Sequence, residues 1–131
     1  GDDAPRSFRM RQDAHSTALG KSILSFKTKD EVKNIYKTYS LYKHTRNTIT
    51  SLDKLLLDLN KSRKSGFSIN EAETFEYIHG IGSAILDSQG RAIAGISISG
   101  TKSTINLKTI PDLSIKVMKT AKQISQRLIN N

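Results

Sequence analysis

The stretch FEYIHGIGSAILDSQGRAIAGISIS, Phe75 to Ser99, decides the fold. Two runs, Phe75 to Leu86 and Ala92 to Ser99, flank the connection Asp87-Ser88-Gln89-Gly90. Glycine stands where such a turn needs positive φ, so the runs are expected to pair as an antiparallel hairpin. Gly80, Gly82, Ser83 and Ala84 leave the first run with little side-chain bulk. Glycine inside a strand costs stability, so this density fits a bulge, a cavity or the close approach of a ligand or backbone. It fits a helix packed tightly across the sheet equally well. In the second run, alternation puts Ile93, Gly95, Ser97 and Ser99 on one face and Ala94, Ile96 and Ile98 on the other. If the first face lines a pocket, the serines can donate to a bound carboxylate; if it meets solvent, they are the wet side of a half-buried strand.

Outward from the hairpin the periodicity becomes helical. Ser16 to Phe26 carries Leu19, Ile23 and Leu24 on one side, with Ala18 and Gly20 keeping the first turn slim and His15-Ser16-Thr17 supplying cap oxygens. Thr28 and Glu31 have capping-box spacing, which starts a helix from Lys29 to about Tyr39 with Val32, Ile35 and Tyr36 buried. Leu41 to Thr50, polar and Thr-rich, reads as a loop. Ser51 to Ser65 forms a helix on Leu52, Leu55, Leu56 and Leu59, ended by Gly66. Phe67 to Ile69 reads as a short strand and Asn70 to Glu73 as a polar turn. Thr109-Ile110-Pro111-Asp112 opens a last helix with the stripe Ile110, Leu113, Val117, Ala121, Ile124 and Leu128. Ser7 to Asp13 is expected to be extended, and an edge if it is a strand. Helices, then a hairpin, then a long helix predict an α+β domain with helices packed on an antiparallel sheet.

A length of 131 residues suits one domain. With four Phe, four Tyr and no Trp, its core must rest on Ile, Leu and Ala. The absence of Cys excludes disulfides, thiolate metal sites and a Cys nucleophile, and fits a reducing compartment, so a cytoplasmic location is expected. No apolar run approaches the roughly 18 residues of a membrane span, and Gly1 to Pro5 has no signal-peptide character. The chain opens without Met on residues carrying no structural signal, as expected of a piece of a longer protein. Its net charge of +9 invites a nucleic-acid reading, but the lysines are spread from Lys27 to Lys122 over polar helix sides and loops, as on a solvated surface.

Ala18-Leu19-Gly20-Lys21-Ser22 imitates the end of a phosphate-binding P-loop, yet the required earlier glycine is replaced by His15. What remains is a helix start with small residues and free N–H groups, which accepts an anion or is simply a capped terminus. His15, His44 and His79 stand in different elements without metal-ligand spacing or a marked partner acid. Glu71 and Glu73 could pair on an extended segment, but in a polar turn they read as solvated carboxylates. No Ser sits in a nucleophile elbow. No catalytic residue, metal site or cofactor is expected.

Three stretches together resemble the effector-binding domain of the IclR family of bacterial transcription regulators. They are His15-Ser16-Thr17-Ala18-Leu19-Gly20-Lys21, Gly66-Phe67-Ser68-Ile69-Asn70-Glu71-Ala72-Glu73 and Ala94-Gly95-Ile96-Ser97-Ile98-Ser99-Gly100. The Thr45 to Thr50 segment and the leucine helix follow in matching order, and the likeness runs from Arg11 to about Leu128. The resemblance implies a GAF/profilin-like antiparallel sheet flanked by helices. Residues 1–131 would be a partial effector-binding domain, without the winged helix-turn-helix that precedes it in the family. Its ligand site would use Ala18, Leu19, Asn70, Ile78, Gly80, Ser97 and Ser99.

The partners so implied are a small carboxylate effector, such as a keto acid or sugar acid, and further copies in a dimer or tetramer. DNA would be contacted through the absent domain, and no membrane is involved. By the same resemblance, many members carry Asp where this chain has Asn70 and Gly-x-x-Cys where it has Tyr77-Ile78-His79-Gly80, and they often have Pro where Ala84 stands. These departures remove a charge that would repel an anion and enlarge the cavity at Gly80. They also support an alternative, an oligomerisation module with a degenerate pocket. An enzyme using Glu71, Glu73 and a histidine is the third reading.

Overall fold

In the computed structural model, which describes residues 13–130, helix boundaries fall where side chains satisfy orphan backbone groups. A 3-10 turn (Ala14–Ser16) leads to Thr17, whose hydroxyl accepts from Gly20 N–H at 3.1 Å and caps α1 (Ala18–Leu24). Thr28 and Glu31 form the expected reciprocal capping box at the start of α2 (Lys29–Thr38). Ser51 caps α3 (Leu52–Ser65), which ends on Gly66 at φ 90°. Strands β1 (Ser68–Glu71), β2 (His79–Leu86) and β3 (Ala92–Gly100) precede α4 (Ile110–Asn130). The residues of the Ser7 to Asp13 segment before Asp13 lie outside the described residues. No described helix is long and apolar enough to cross a membrane.

The sheet is antiparallel in the order β1-β2-β3. Gly90 at φ 77° closes the β2–β3 turn as its position predicts. On one face, Ile81 joins Ile105 and Val117 in a core that also receives Phe67, Ile96, Ile98, Ile110 and Leu113, under α4. On the other face lie Gly80, Gly82 and Ala84, with Ser99, Ser97 and Gly95 directly opposite them. There α1 rests on glycine: a Cβ on Gly82 would sit 2.5 Å from the Ala18 carbonyl oxygen. Among the alternatives for the glycine density, close approach of a helix backbone holds at Gly82; the irregularity in the strand pair falls instead at Ile85/Leu86. A second core, Leu24, Val32, Leu55 and Leu59, joins α1, α2 and α3.

Four expectations change. The buried side of α1 is Ala18, Lys21, Ser22 and Leu24, while Leu19 is exposed and Ile23 half-buried, because backbone packing on glycine favours short side chains there. Asn70 and Glu71 belong to β1 rather than to a turn. The residues from Phe75 to Ile78 are not strand: the Ala72 N–H donates to the Ile78 carbonyl at 3.1 Å, closing a loop before β2 begins. Leu128 on α4 is exposed, since Ser125 already bonds the Leu86 N–H at the end of β2 and the helix runs past the sheet.

Candidate functional site

The residues proposed from sequence gather on the sheet face that carries α1. Gly80 pairs with Ser99 and with Asn70, and Gly82 with Ser97, so all of them present the same face. A Cβ on Gly80 would lie 3.5 Å from the Ala18 Cβ and 3.7 Å from the Asn70 Cβ, which places the helix start, β1 and β2 around one point. Leu19 leans over Gly95 on β3. Ala18, Asn70 and Gly80 are buried; Leu19, Ser97 and Ser99 are exposed, so the site is an open groove along β3. Ile78 is exposed in the loop before β2, at the rim with Phe75 and Tyr77.

Among the described residues, the donors that line the groove are neutral. The first backbone N–H engaged inside α1 is that of Lys21, bonded to the Thr17 carbonyl at 2.9 Å, so Ala18 and Leu19 precede the helical ladder. Asn70 Oδ1 accepts from the Glu73 N–H at 2.8 Å, which orients the amide and leaves Nδ2 as a donor without a partner among the described residues. Aspartate in its place would have no such donor. Ser68 shares this face, but its position opposite Gly82 lies beneath α1 and its hydroxyl is buried.

Lys21 points away from this groove. Its ammonium, on a side chain 1% exposed, donates to Asp58 Oδ2 at 2.8 Å, to both Glu73 oxygens at 2.9 and 3.1 Å, and to the Ile69 carbonyl at 2.6 Å. The P-loop-like lysine is therefore an internal counter-ion, unavailable to a phosphate. Glu73 is buried, contrary to the expectation of a solvated carboxylate, while Glu71 is exposed as expected. The Thr-rich loop explains why. Thr45 and Thr48 hydroxyls donate to the Ala72 and Glu73 carbonyls, each at 2.6 Å, and Asn47 Nδ2 donates to the Glu71 carbonyl. They hold Ala72 at φ 55° and turn Glu73 inward.

Burial, the largest influence, pushes the Glu73 carboxyl above its usual range; Lys21 and the Glu71 N–H pull it back only partly, and the nearby Asp58 charge adds a smaller upward push. A carboxyl with a raised native pKa binds more protons in the folded state. Its contribution is thus fully present below the unfolded value near 4.5 and is lost as pH rises through the higher native value. Glu73→Gln should flatten this decline in urea midpoints measured upward from pH 4.5; an unchanged slope would refute the assignment.

Two histidines come together, against the expectation that each stands alone. His44 Nε2 lies 2.7 Å from Asp13 Oδ2, and buried His15 bonds the Tyr42 carbonyl through Nε2 at 2.9 Å. The rings of His15 and His44 stack with centroids 6.2 Å apart. Only folding of the loop after α2 back onto the start of α1 creates this neighbourhood. His79 remains apart, half-buried at the start of β2.

Two concave regions lie off the groove. One, of about 500 Å³, runs between α2 and α3 along Val32, Leu56, Leu57 and Leu59. The other, of about 430 Å³, is floored by the cluster in which Asp58 and Glu73 already share the Lys21 ammonium. Neither brings together the neutral donors that converge beside α1.

Residues 9–126 match the family described as "Bacterial transcriptional regulator IclR C-terminal". The chain belongs to the IclR family. It is 31% identical over 118 residues to the HTH-type transcriptional regulator KipR of Bacillus subtilis, covering 90% of this chain and 47% of KipR. The chain thus spans about half the length of this relative. The crystal structure of Thermotoga maritima IclR superposes with a TM-score of 0.84 at 37% identity, over 88% of this chain and 47% of that one. A double mutant of the PobR inducer-binding domain of Acinetobacter, in complex with 3-hydroxybenzoic acid, shares the fold with a TM-score of 0.79 at 23% identity, over 87% of this chain and 66% of that one. The expected α+β fold holds for this IclR-family domain, and its matched relatives are transcription regulators rather than enzymes.

Proposed function

We propose that this IclR-family domain senses a small carboxylate metabolite, a keto acid, sugar acid or similar, in the groove between the start of α1 and the Ser97/Ser99 edge of β3. It would act in the cytoplasm as part of a longer regulator whose N-terminal winged helix-turn-helix binds DNA. Effector binding would shift a dimer or tetramer equilibrium and so the spacing of the DNA-binding heads. The observation that carries this reading is the convergence of Ala18, Leu19, Asn70, Gly80, Ser97 and Ser99 on one sheet face. Charge-assisted hydrogen bonds contribute roughly 1.5–3 kcal/mol each, so three neutral donors supply at most about 9 kcal/mol, and burial of the ligand's apolar part has to offset the association cost for micromolar affinity, about 8 kcal/mol, to be reached. The carboxylic acid in the PobR complex sets the first class to screen.

Ligand at a hundred times its Kd should stabilise the protein by about 2.7 kcal/mol, a rise in Tm on the order of 10 °C. A thermal-shift screen of the complete regulator against glyoxylate, pyruvate, sugar acids and aromatic acids would reveal it. Ser97→Leu should remove that shift while leaving the unliganded Tm within a few degrees, because Ser97 is exposed. Undiminished binding by the variant would sink this site. The second reading, an oligomerisation module, draws on the exposed Ile115, Leu128 and Ile129 of α4. It predicts concentration-dependent association with no ligand-induced shift.

A further inference from the structure

We infer that Asp13, His15 and His44 form a binding site for a divalent transition metal of the zinc class. One ligand atom from each, a carboxylate oxygen and two imidazole nitrogens, lies within 4.8 Å of the other two. Two imidazoles with one carboxylate match the borderline character of zinc and of the cobalt and nickel ions that replace it, whereas calcium and magnesium prefer all-oxygen sites. Tetrahedral coordination at the usual bond lengths sets ligand atoms about 3.3 Å apart. Asp13 and His44, now 2.7 Å apart, would separate slightly as the metal replaces their shared proton, and His15 would close in.

The surroundings hold these side chains as outer groups hold metal ligands. The Asp13 carbonyl accepts from the Ser16 N–H and from the Ser16 and Thr17 hydroxyls at 3.1, 3.2 and 3.3 Å, fixing the backbone that carries the carboxylate. The Tyr42 carbonyl orients the His15 ring, and the His44 N–H is tied to the Thr48 hydroxyl at 3.0 Å. His15 is buried, while the side chains of His44 and Asp13 are 26% and 42% exposed, which gives an ion a path from solvent and leaves room for water as a further ligand. Bound there, the metal would tie the entrance of α1 to the same Thr-rich loop that clamps the Ala72–Glu73 turn.

Cobalt(II) supplies the test because tetrahedral coordination gives intense visible d–d bands. Tag-free protein, treated with chelator and then titrated with Co²⁺, should develop these bands to a stoichiometric end point and lose them on addition of Zn²⁺. Asp13→Asn and His44→Gln should each weaken binding about tenfold or more, whereas His79→Gln should bind as the parent does. Far-UV circular dichroism and urea midpoints in chelator identify any variant that loses metal by unfolding; either partially exposed ligand then serves in place of the other. Absence of the bands, or equal affinity in all three variants and the parent, overturns the site.

Discussion

Replacing Lys21 by methionine is expected to destabilise the domain by about 3–5 kcal/mol at neutral pH, a large share of the roughly 5–15 kcal/mol that holds an ordinary domain together. Methionine keeps most of the volume, so the loss would not arise from a cavity. It would come from leaving Glu73, 5% exposed, without the ammonium that both of its oxygens now share. Asp58, with a side chain 31% exposed, can turn to water and contributes less. The loss should therefore shrink in Lys21→Met with Glu73→Gln, where the uncompensated charge is gone. Urea denaturation of both variants measures this. A single variant less than about 1 kcal/mol below the parent would show that the cluster is not the internal counter-ion described here.

Gly82→Ala should be the costliest single methyl group on the sheet. Its Cβ would meet the Ala18 carbonyl oxygen at 2.5 Å, the Ala18 carbonyl carbon at 2.6 Å and the Leu19 nitrogen at 2.9 Å, all of them backbone. Backbone cannot rotate aside, so α1 must lift off β2 as a body, at a cost near the upper end of the roughly 1–3 kcal/mol typical of overpacking. Gly95→Ala provides the contrast. There the new methyl meets Leu19 Cγ at 3.1 Å and Ser22 Oγ at 3.3 Å, side-chain atoms that can shift, so the change should stay under about 1 kcal/mol. Thermal unfolding of the two variants side by side checks the difference; equal costs would mean that α1 does not rest on Gly82. Because Ala18 and Leu19 flank the groove, Gly82→Ala should also weaken effector binding more than its loss of stability explains.

Local chemistry makes much of this fold legible in the sequence. The Thr28/Glu31 capping box, the Ser51 cap, Gly66 after α3 and Gly90 in the hairpin each act within a few residues, and each stands where the residue types demand. The alternation of β3 was equally local, and it correctly sends Ile96 and Ile98 to the α4 core and leaves Ser97 and Ser99 outside. The loop from Phe75 to Ile78 reads as strand because its apolar residues mimic one, and nothing nearby announces the Ala72–Ile78 hydrogen bond. Leu19 departs from its helical periodicity for a related reason: the pattern turns bulk inward, and a glycine surface reverses that preference.

The polar interior lay beyond such reading. Lys21 meets Asp58 and Glu73 across 37 and 52 residues, and His44 meets Asp13 across 31. No spacing rule relates positions so far apart, and an isolated lysine, glutamate or histidine carries no mark of the partner it will find. The helix ends, the hairpin turn and the family follow from residue types and short-range order, because helix caps, turns and pleats act over a few residues. Which charges are buried, which turn points Glu73 inward and which histidines share a carboxylate depend on chain segments brought together only when the helices close on the sheet.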